Sequence, residues 1–295
     1  MRNLVSALTG SLPSMKSRLT PWIFTRNRNF TLYQEINPRK LYTIMSEQQE
    51  KRKIAIVTGG ASGIGFAIAQ EFVKNNIFTI IIGRDNTKLE NAKNTFGSLC
   101  ETISFDLGKL GEIPALIDGI RAKHGQIDIL VNNAGINMKK EFCDVTDEDF
   151  MKVIQTNLIS VFSISREVVK AMLPFNSGCI INISSMAAQY GIPKVIAYTA
   201  AKTAIDGMTK AMAVELSPKG IRINAIAPGF IATDMSAKAL DSDPERKNKV
   251  FSRTPMGYLG EPKDIGTTAA FLASDAAKYI TGVVIPVDGG NSIGF

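Results

Sequence analysis

Ile54-Ala55-Ile56-Val57-Thr58-Gly59-Gly60-Ala61-Ser62-Gly63-Ile64-Gly65 begins as an apolar, β-branched run and breaks into glycine. An apolar stretch with helical spacing follows, from Ile64 to Asn75. The order is therefore strand, glycine loop, helix. Glycines let a backbone come close to a pyrophosphate, and a helix N-terminus offers it free N–H groups and a partial positive charge. Thr58, Gly59, Ser62, Gly63, Ile64 and Gly65 are thus candidate positions for holding a dinucleotide. The spacing of Gly59, Gly63 and Gly65 departs from G-x-G-x-x-G, so the reading leans on the flanking strand and helix.

Outward from this loop, runs rich in Ile and Val alternate with longer segments of helical period. Strands are expected at Ile54–Thr58, Phe78–Gly83, Ile103–Phe105, Ile127–Asn132, Cys179–Ile183, Arg222–Ala227 and Val283–Val287. Helices are expected at Ile64–Asn75, Phe150–Met172, Ala197–Leu216 and Pro262–Ala273. Several strands are apolar almost throughout, as strands covered on both faces are. The fold class is α/β, a three-layer, doubly wound parallel sheet in a single domain over residues 46–295. Phe230–Gly260 is polar, contains Pro244 and Pro255, and is long for a connector, so it reads as an active-site lid.

The net charge of +7 over 295 residues resolves by position. Arg2, Lys16, Arg18, Arg26, Arg28, Arg39 and Lys40 face only Glu35 within residues 1–45, which leaves the rest of the chain close to neutral. A neutral body lacks the clustered cations that replace phosphate counterions, which argues against nucleic acid as a partner. The basic, acid-poor tail has the composition of a transit peptide, with a mitochondrial matrix address. A disordered extension, or translation from Met45, would instead leave the protein cytoplasmic. Trp22 lies in this tail and is not expected in the core. No apolar run is long enough to span a bilayer.

Cys100, Cys143 and Cys179 are widely spaced and suggest neither disulfides nor a thiolate zinc site. His124, the only histidine, precedes Gly125 at an expected helix end, where a solvated capping role is expected. One histidine excludes most triads and metal helices. Arg84 follows the second strand, where an acid would favour NAD and an Arg pairs with the extra phosphate of NADP. NADP is therefore the expected cofactor, with NAD as the alternative because Asp85 stands beside Arg84.

The pattern Y-x-x-x-K occurs twice, at Tyr190–Lys194 and Tyr198–Lys202. Gly191 and Pro193 oppose a helix in the first. Thr199-Ala200-Ala201 favours one in the second, where positions i and i+4 share a face. A free Tyr is a poor base near neutral pH. A lysine ammonium beside it stabilises the phenolate by charge, and a hydroxyl at a strand end thirteen residues upstream, Ser185, can hydrogen-bond a substrate oxygen. Ser184 competes for that role, but adjacent strand residues face opposite ways.

Thr58-x-x-x-Gly63-x-Gly65, Asn132-Asn133-Ala134-Gly135, Asn157, Ser185, Tyr198-x-x-x-Lys202 and Pro228-Gly229, in this order, resemble the short-chain dehydrogenase/reductase family over residues 51–295. The resemblance implies a Rossmann fold, an NADP(H)-dependent interconversion of carbonyl and alcohol, and Asn157, Ser185, Tyr198 and Lys202 as the catalytic group. It further implies that Lys202 holds the nicotinamide ribose and that Asn157 supports a proton-relaying water. Asn133, Ala134 and Gly135 would line the cofactor, Asp106 would face the adenine, and Pro228, Gly229, Ile231 and Thr233 would close its nicotinamide end. A homotetramer through the long helices is the family's habit.

The run Asn224–Met235 resembles 3-oxoacyl-[acyl-carrier-protein] reductases, and sugar or sugar-acid dehydrogenases of the gluconate 5- or glucose 1-dehydrogenase type share much of it. The carrier-docking cations of the former fall here on Asn176 and Lys219, so one of the two is absent. Lys139, Lys140, Lys194 and Arg253 lie in loops that could rim the pocket and receive a phosphopantetheine or a carboxylate. A non-catalytic nucleotide-binding homologue would have lost the Tyr or the Lys, and this chain has lost neither.

Overall fold

Ile54 and Ile56 pack on one side of a strand, Ala55 and Val57 on the other, and all four are buried. A strand that is apolar on both faces belongs inside a sheet covered twice, and the computed structural model contains that sheet. Residues 52–233 and 244–294 are described, together with the backbone of two short N-terminal strands.

The chain divides into two units, Met1–Lys51 and Arg52–Phe295. In the first, β1 (Trp22–Asn27) and β2 (Phe30–Glu35) form an antiparallel pair. The remainder of the expected transit segment, residues 1–45, lies outside the described residues. In the second, the elements run β3 (Ile54–Thr58), α1 (Gly63–Lys74), β4 (Phe78–Gly83), α2 (Asn86–Phe96), β5 (Cys100–Ser104), α3 (Ile113–His124) and β6 (Ile129–Asn132). They continue through α4 (Asp147–Ile154), α5 (Ser160–Met172), β7 (Gly178–Ile183), α6 (Ile196–Leu216), β8 (Ile221–Pro228), α7 (Pro244–Arg253), α8 (Pro262–Ala273) and β9 (Val284–Val287).

Seven strands pair in parallel in the order β5-β4-β3-β6-β7-β8-β9. On one face, Ile117 and Ile120 of α3 and Ile164, Val168 and Met172 of α5 pack on Ile56, Ile80, Leu130 and Ile180. On the other, Ile68 and Phe72 of α1 and Ile265 and Leu272 of α8 pack on Val57, Val131, Ile181 and Ile226. Each such side chain contributes about 1.5–3 kcal/mol by leaving water. The strand order reverses between β3 and β6, which opens a crevice at their C-terminal ends.

The expected doubly wound sheet is present, and three local readings change. β5 starts at Cys100, three residues before the expected Ile103, because Cys100 and Glu101 already pair with Thr79 and Ile80. The single helix expected over Phe150–Met172 is interrupted by a π-helical turn, Gln155–Ile159, between α4 and α5. His124 is not a solvated cap. Its ring is largely buried, its Nε2 lies 2.9 Å from Glu101 Oε2, and it packs on Phe78. Gly125 caps α3 instead, at φ 81°.

The ends of the expected lid are clasped together. Ala232 N–H donates to the Gly260 carbonyl at 2.7 Å, and Gly260 N–H to the Phe230 carbonyl at 3.0 Å. Residues 234–243 of that excursion lie outside the described residues, and α7 follows them.

Candidate active site

Thr58 ends β3 and ties the crevice together. Its hydroxyl donates to the Val131 carbonyl at 3.2 Å and accepts from the N–H groups of Asn133 and Ala134 at 3.0 and 3.1 Å. The Asn133 amide in turn donates to the carbonyls of Thr58 and Gly59 at 3.0 and 3.1 Å. These bonds hold the glycine loop against the segment after β6. Gly59 sits at φ 63°, a left-handed conformation that favours glycine. A Cβ at Gly65 would lie 2.3 Å from the Gly59 carbonyl oxygen, so no larger residue fits there.

Ser62 N-caps α1 without a side-chain hydrogen bond, and no acid lies in the first turn. The start of α1 therefore presents Gly63, Ile64 and Gly65 as a cationic backbone cradle. The methyl of Thr233 stands 3.7 Å from where a Cβ on Gly63 would be, which places Thr233 at the same loop. Pro228 is buried at the end of β8, Gly229 N–H donates to the Val287 carbonyl at 2.9 Å, and Ile231 is buried beyond it.

Arg84 is exposed after β4 and has no partner among the described residues. Asp85, its rival for setting cofactor preference, is committed elsewhere: it caps α2 by accepting from Lys88 N–H at 3.1 Å and pairs with the Lys88 ammonium. Asp106 is exposed beyond β5, and its Oδ1 accepts from Gly108 N–H at 2.9 Å.

Asn157 is fully buried in the π turn and grips Ile136 twice, accepting from its N–H and donating to its carbonyl at 2.8 Å each. π turns concentrate at functional sites. This one aims Asn157 at the segment that follows Gly135, whose Cβ position lies 3.2 Å from Asn157 Oδ1.

Ser185, Tyr198 and Lys202 meet where β7 ends against the start of α6. Burial pushes the Tyr198 phenol above its ordinary value, and a hydrogen bond from Ser185 draws it partly back. Burial also pushes the Lys202 ammonium down from 10.5 to about 8, with Asp206 opposing. Lys202 Nζ donates to the Ile183 carbonyl at 2.6 Å and stands 5.6 Å from the Tyr198 ring centroid. A desolvated ammonium takes the nearest strong acceptor, and that acceptor is the strand end.

Ser184 is excluded from the substrate role by its own bond, since its hydroxyl donates to Asp206 Oδ1 at 2.5 Å. Sequence reasoning missed Asp206, although its spacing from Tyr198 and Lys202 places all three on one stripe of α6. The other tyrosine motif does not assemble as a tyrosine–lysine pair. Tyr190 donates to Asn291 Oδ1 at 2.5 Å under the Arg253 guanidinium, and Lys194 has φ 69° and pairs with Glu141.

Beside the start of α6 lies a groove of about 370 Å³ walled by Phe142, Ile192, Pro193, Ile196 and Thr199, with Lys140, Glu141 and Lys194 at its edge. Its cations are compensated, Lys140 by Asp149 at 2.5 Å and Lys194 by Glu141. Lys139 is also engaged. Asn176 and Lys219 are exposed where β7 and β8 begin, at the sheet end opposite the glycine loop.

Strand-end crevice, glycine cradle and a Ser-Tyr-Lys junction define a class, and the comparisons agree with it. A family model described as enoyl-(acyl carrier protein) reductase matches residues 59–292. The chain belongs to the short-chain dehydrogenase/reductase family and is an oxidoreductase. Among individual proteins, it is 40% identical over 238 residues to the 3-oxoacyl-[acyl-carrier-protein] reductase FabG of Haemophilus influenzae, covering 81% of this chain and 97% of that one. A putative gluconate dehydrogenase from Agrobacterium tumefaciens superposes with a TM-score of 0.79 at 36% identity, covering 82% of this chain and 97% of that one. A variant of actinorhodin polyketide ketoreductase with NADPH superposes with a TM-score of 0.77 at 30% identity, covering 82% and 98%.

Proposed function

We propose that this protein reduces a 3-oxoacyl thioester to the 3-hydroxyacyl thioester with NADPH, with Asn157, Ser185, Tyr198 and Lys202 as its catalytic group. The cradle fits the cofactor. Gly59, Gly63 and Gly65 leave the space a pyrophosphate needs, α1 offers its N-terminus, and Arg84 is available for the additional phosphate while Asp85 is not. Asn133, Ala134, Gly135, Asp106, Pro228, Gly229, Ile231 and Thr233 would hold the remaining groups. When bound, the nicotinamide supplies the hydride.

The protein's own residues manage the oxygen and the proton. Ser185 hydrogen-bonds the substrate oxygen, and Tyr198 gives it a proton as negative charge develops there. Burial keeps the phenol in the protonated form this direction requires. Lys202, protonated below about pH 8, contributes positive charge beside the site. Asn157 fixes Ile136, one residue beyond the Asn133–Gly135 segment.

The choice of substrate rests on charge balance. The groove beside α6 is apolar, and its rim lysines are paired with acids. Such a groove accepts an acyl-thioester arm more readily than it binds a sugar-acid carboxylate. The FabG relative supports the same reading. The gluconate dehydrogenase neighbour supports a sugar-acid dehydrogenase as a second reading, and one experiment separates the two. NADPH consumption with acetoacetyl thioesters should exceed NADP reduction with gluconate by a factor of at least about 100 in kcat/KM, the size of effect a mismatched polar site produces. Turnover of gluconate without turnover of the thioester would reverse the assignment.

The basic tail supports matrix import, testable by fusing residues 1–45 to a fluorescent protein. The family's habit supports a homotetramer, testable by gel filtration. Lys219 supports a carrier-linked substrate, whereas Asn176 in place of a cation weakens docking, so free thioesters should be reduced about as well as carrier-bound ones.

A further inference from the structure

β7 leads into three consecutive residues, each of which reaches a different residue of α6. The Ile183 carbonyl accepts from Lys202 Nζ, Ser184 donates to Asp206, and the Ser185 hydroxyl faces Tyr198 closely enough to oppose the upward push that burial gives its phenol. Tyr198, Lys202 and Asp206 recur every four residues and so form one stripe of the helix. Two of these three links belong to the catalytic group. We infer that Asp206 is a positioning residue for it: its carboxylate pins Ser184, which sets how Ser185 meets Tyr198, and keeps the positive charge on Lys202.

The geometry has no substitute for either task. Ser184 is buried, and its only other acceptor is the Lys202 carbonyl at 3.5 Å, at the limit of a hydrogen bond. Removing Asp206 therefore leaves a buried hydroxyl nearly unpartnered at the residue adjoining Ser185. The charged groups at this junction are Asp206 and Lys202, with Lys210 behind Asp206, and Tyr198 is the other titratable group. The strand side contributes only a carbonyl and two hydroxyls. Lys202, itself desolvated, depends on Asp206 for the attraction that opposes its burial. The same burial raises Asp206, while Ser184, Lys210 and Lys202 favour its ionised form.

This inference rests on the catalytic roles proposed above, so its test includes a readout that needs no turnover. In the full chain labelled with [13Cε]lysine, the Lys202 resonance, identified by its loss in Lys202→Arg, should titrate near pH 8. In Asp206→Asn, which can still accept from Ser184, the midpoint should fall by about one unit, as expected on losing a close opposite charge. The alkaline limb of kcat should move with it, while KM for NADPH stays within about threefold. Asp206→Ala, which loses the link as well, should lower kcat by about tenfold. Asp206→Glu should restore part of it. Ser184→Ala, which breaks the link and keeps the charge, should lower kcat without moving the midpoint.

An unchanged Lys202 midpoint in Asp206→Asn overturns the charge role, even if the melting temperature drops. Undiminished kcat in both Asp206→Ala and Ser184→Ala overturns the positioning role. If the midpoint moves as expected while the wild type reduces no thioester, the charge role stands and the substrate assignment fails.

Discussion

Tyr190–Lys194 and Tyr198–Lys202 spell the same motif eight residues apart, and the molecule uses them for opposite ends. The first lies in the turns after β7. Lys194 takes a left-handed backbone, its ammonium goes to Glu141, and Tyr190 braces the C-terminal segment through Asn291 beneath Arg253. The second lies in a helix whose first turns press on the end of β7, so both side chains are desolvated at one junction. The pattern of letters is identical. The difference is the backbone beneath it: Gly191 and Pro193 deny the first pair a common face, and Thr199-Ala200-Ala201 grants it to the second.

This contrast can be broken by experiment. Tyr198→Phe should lower kcat by about 10³-fold, within the range for losing a general acid, whereas Tyr190→Phe should stay within about twofold of the wild type by the same reasoning. Steady-state rates on one thioester decide it, and equal losses would erase the distinction. Lys202→Met should cost about 10²-fold in kcat/KM, the scale of removing one preorganised electrostatic group.

The pH dependence sharpens the contrast further. Lys202 carries its charge below about pH 8 and loses it above. Reduction should therefore decline through that pH, and a profile flat to pH 10 would remove Lys202 from the charge balance. The smallest effect belongs to the other pair. Tyr190→Phe gives up one hydrogen bond of about 1 kcal/mol, which should lower the melting temperature by about 2–4 °C with activity retained.

The sheet and the glycine loop were legible because short Ile and Val runs without polar alternation suit strands buried on both faces and little else. The polar start of β5 was not legible. Glu101 looks like loop sequence, yet it lies on an edge strand where the Lys123 ammonium pairs with it and His124 Nε2 lies 2.9 Å from it. The His124–Glu101 contact accounts for His124 not being a solvated cap, since its partner sits in a strand whose start could not be read. The catalytic residues were legible by order and spacing, and their mutual contacts were not. Nothing in the letters says that Lys202 spends its proton on a carbonyl, that Ser184 is taken by Asp206, or that the rim lysines are already matched by Asp149 and Glu141. Each is a long-range pairing that only tertiary structure decides.

The π turn at Gln155–Ile159 holds one residue more than a regular helix needs over that stretch. Deleting one residue there would give a continuous helix from α4 into α5, and as a helix it would be the better one. It would also swing Asn157 about a quarter-turn off its target and strand both backbone polar groups of Ile136. The irregularity is thus one of length, and a sequence one residue shorter could keep every catalytic residue and still lose the grip on Ile136.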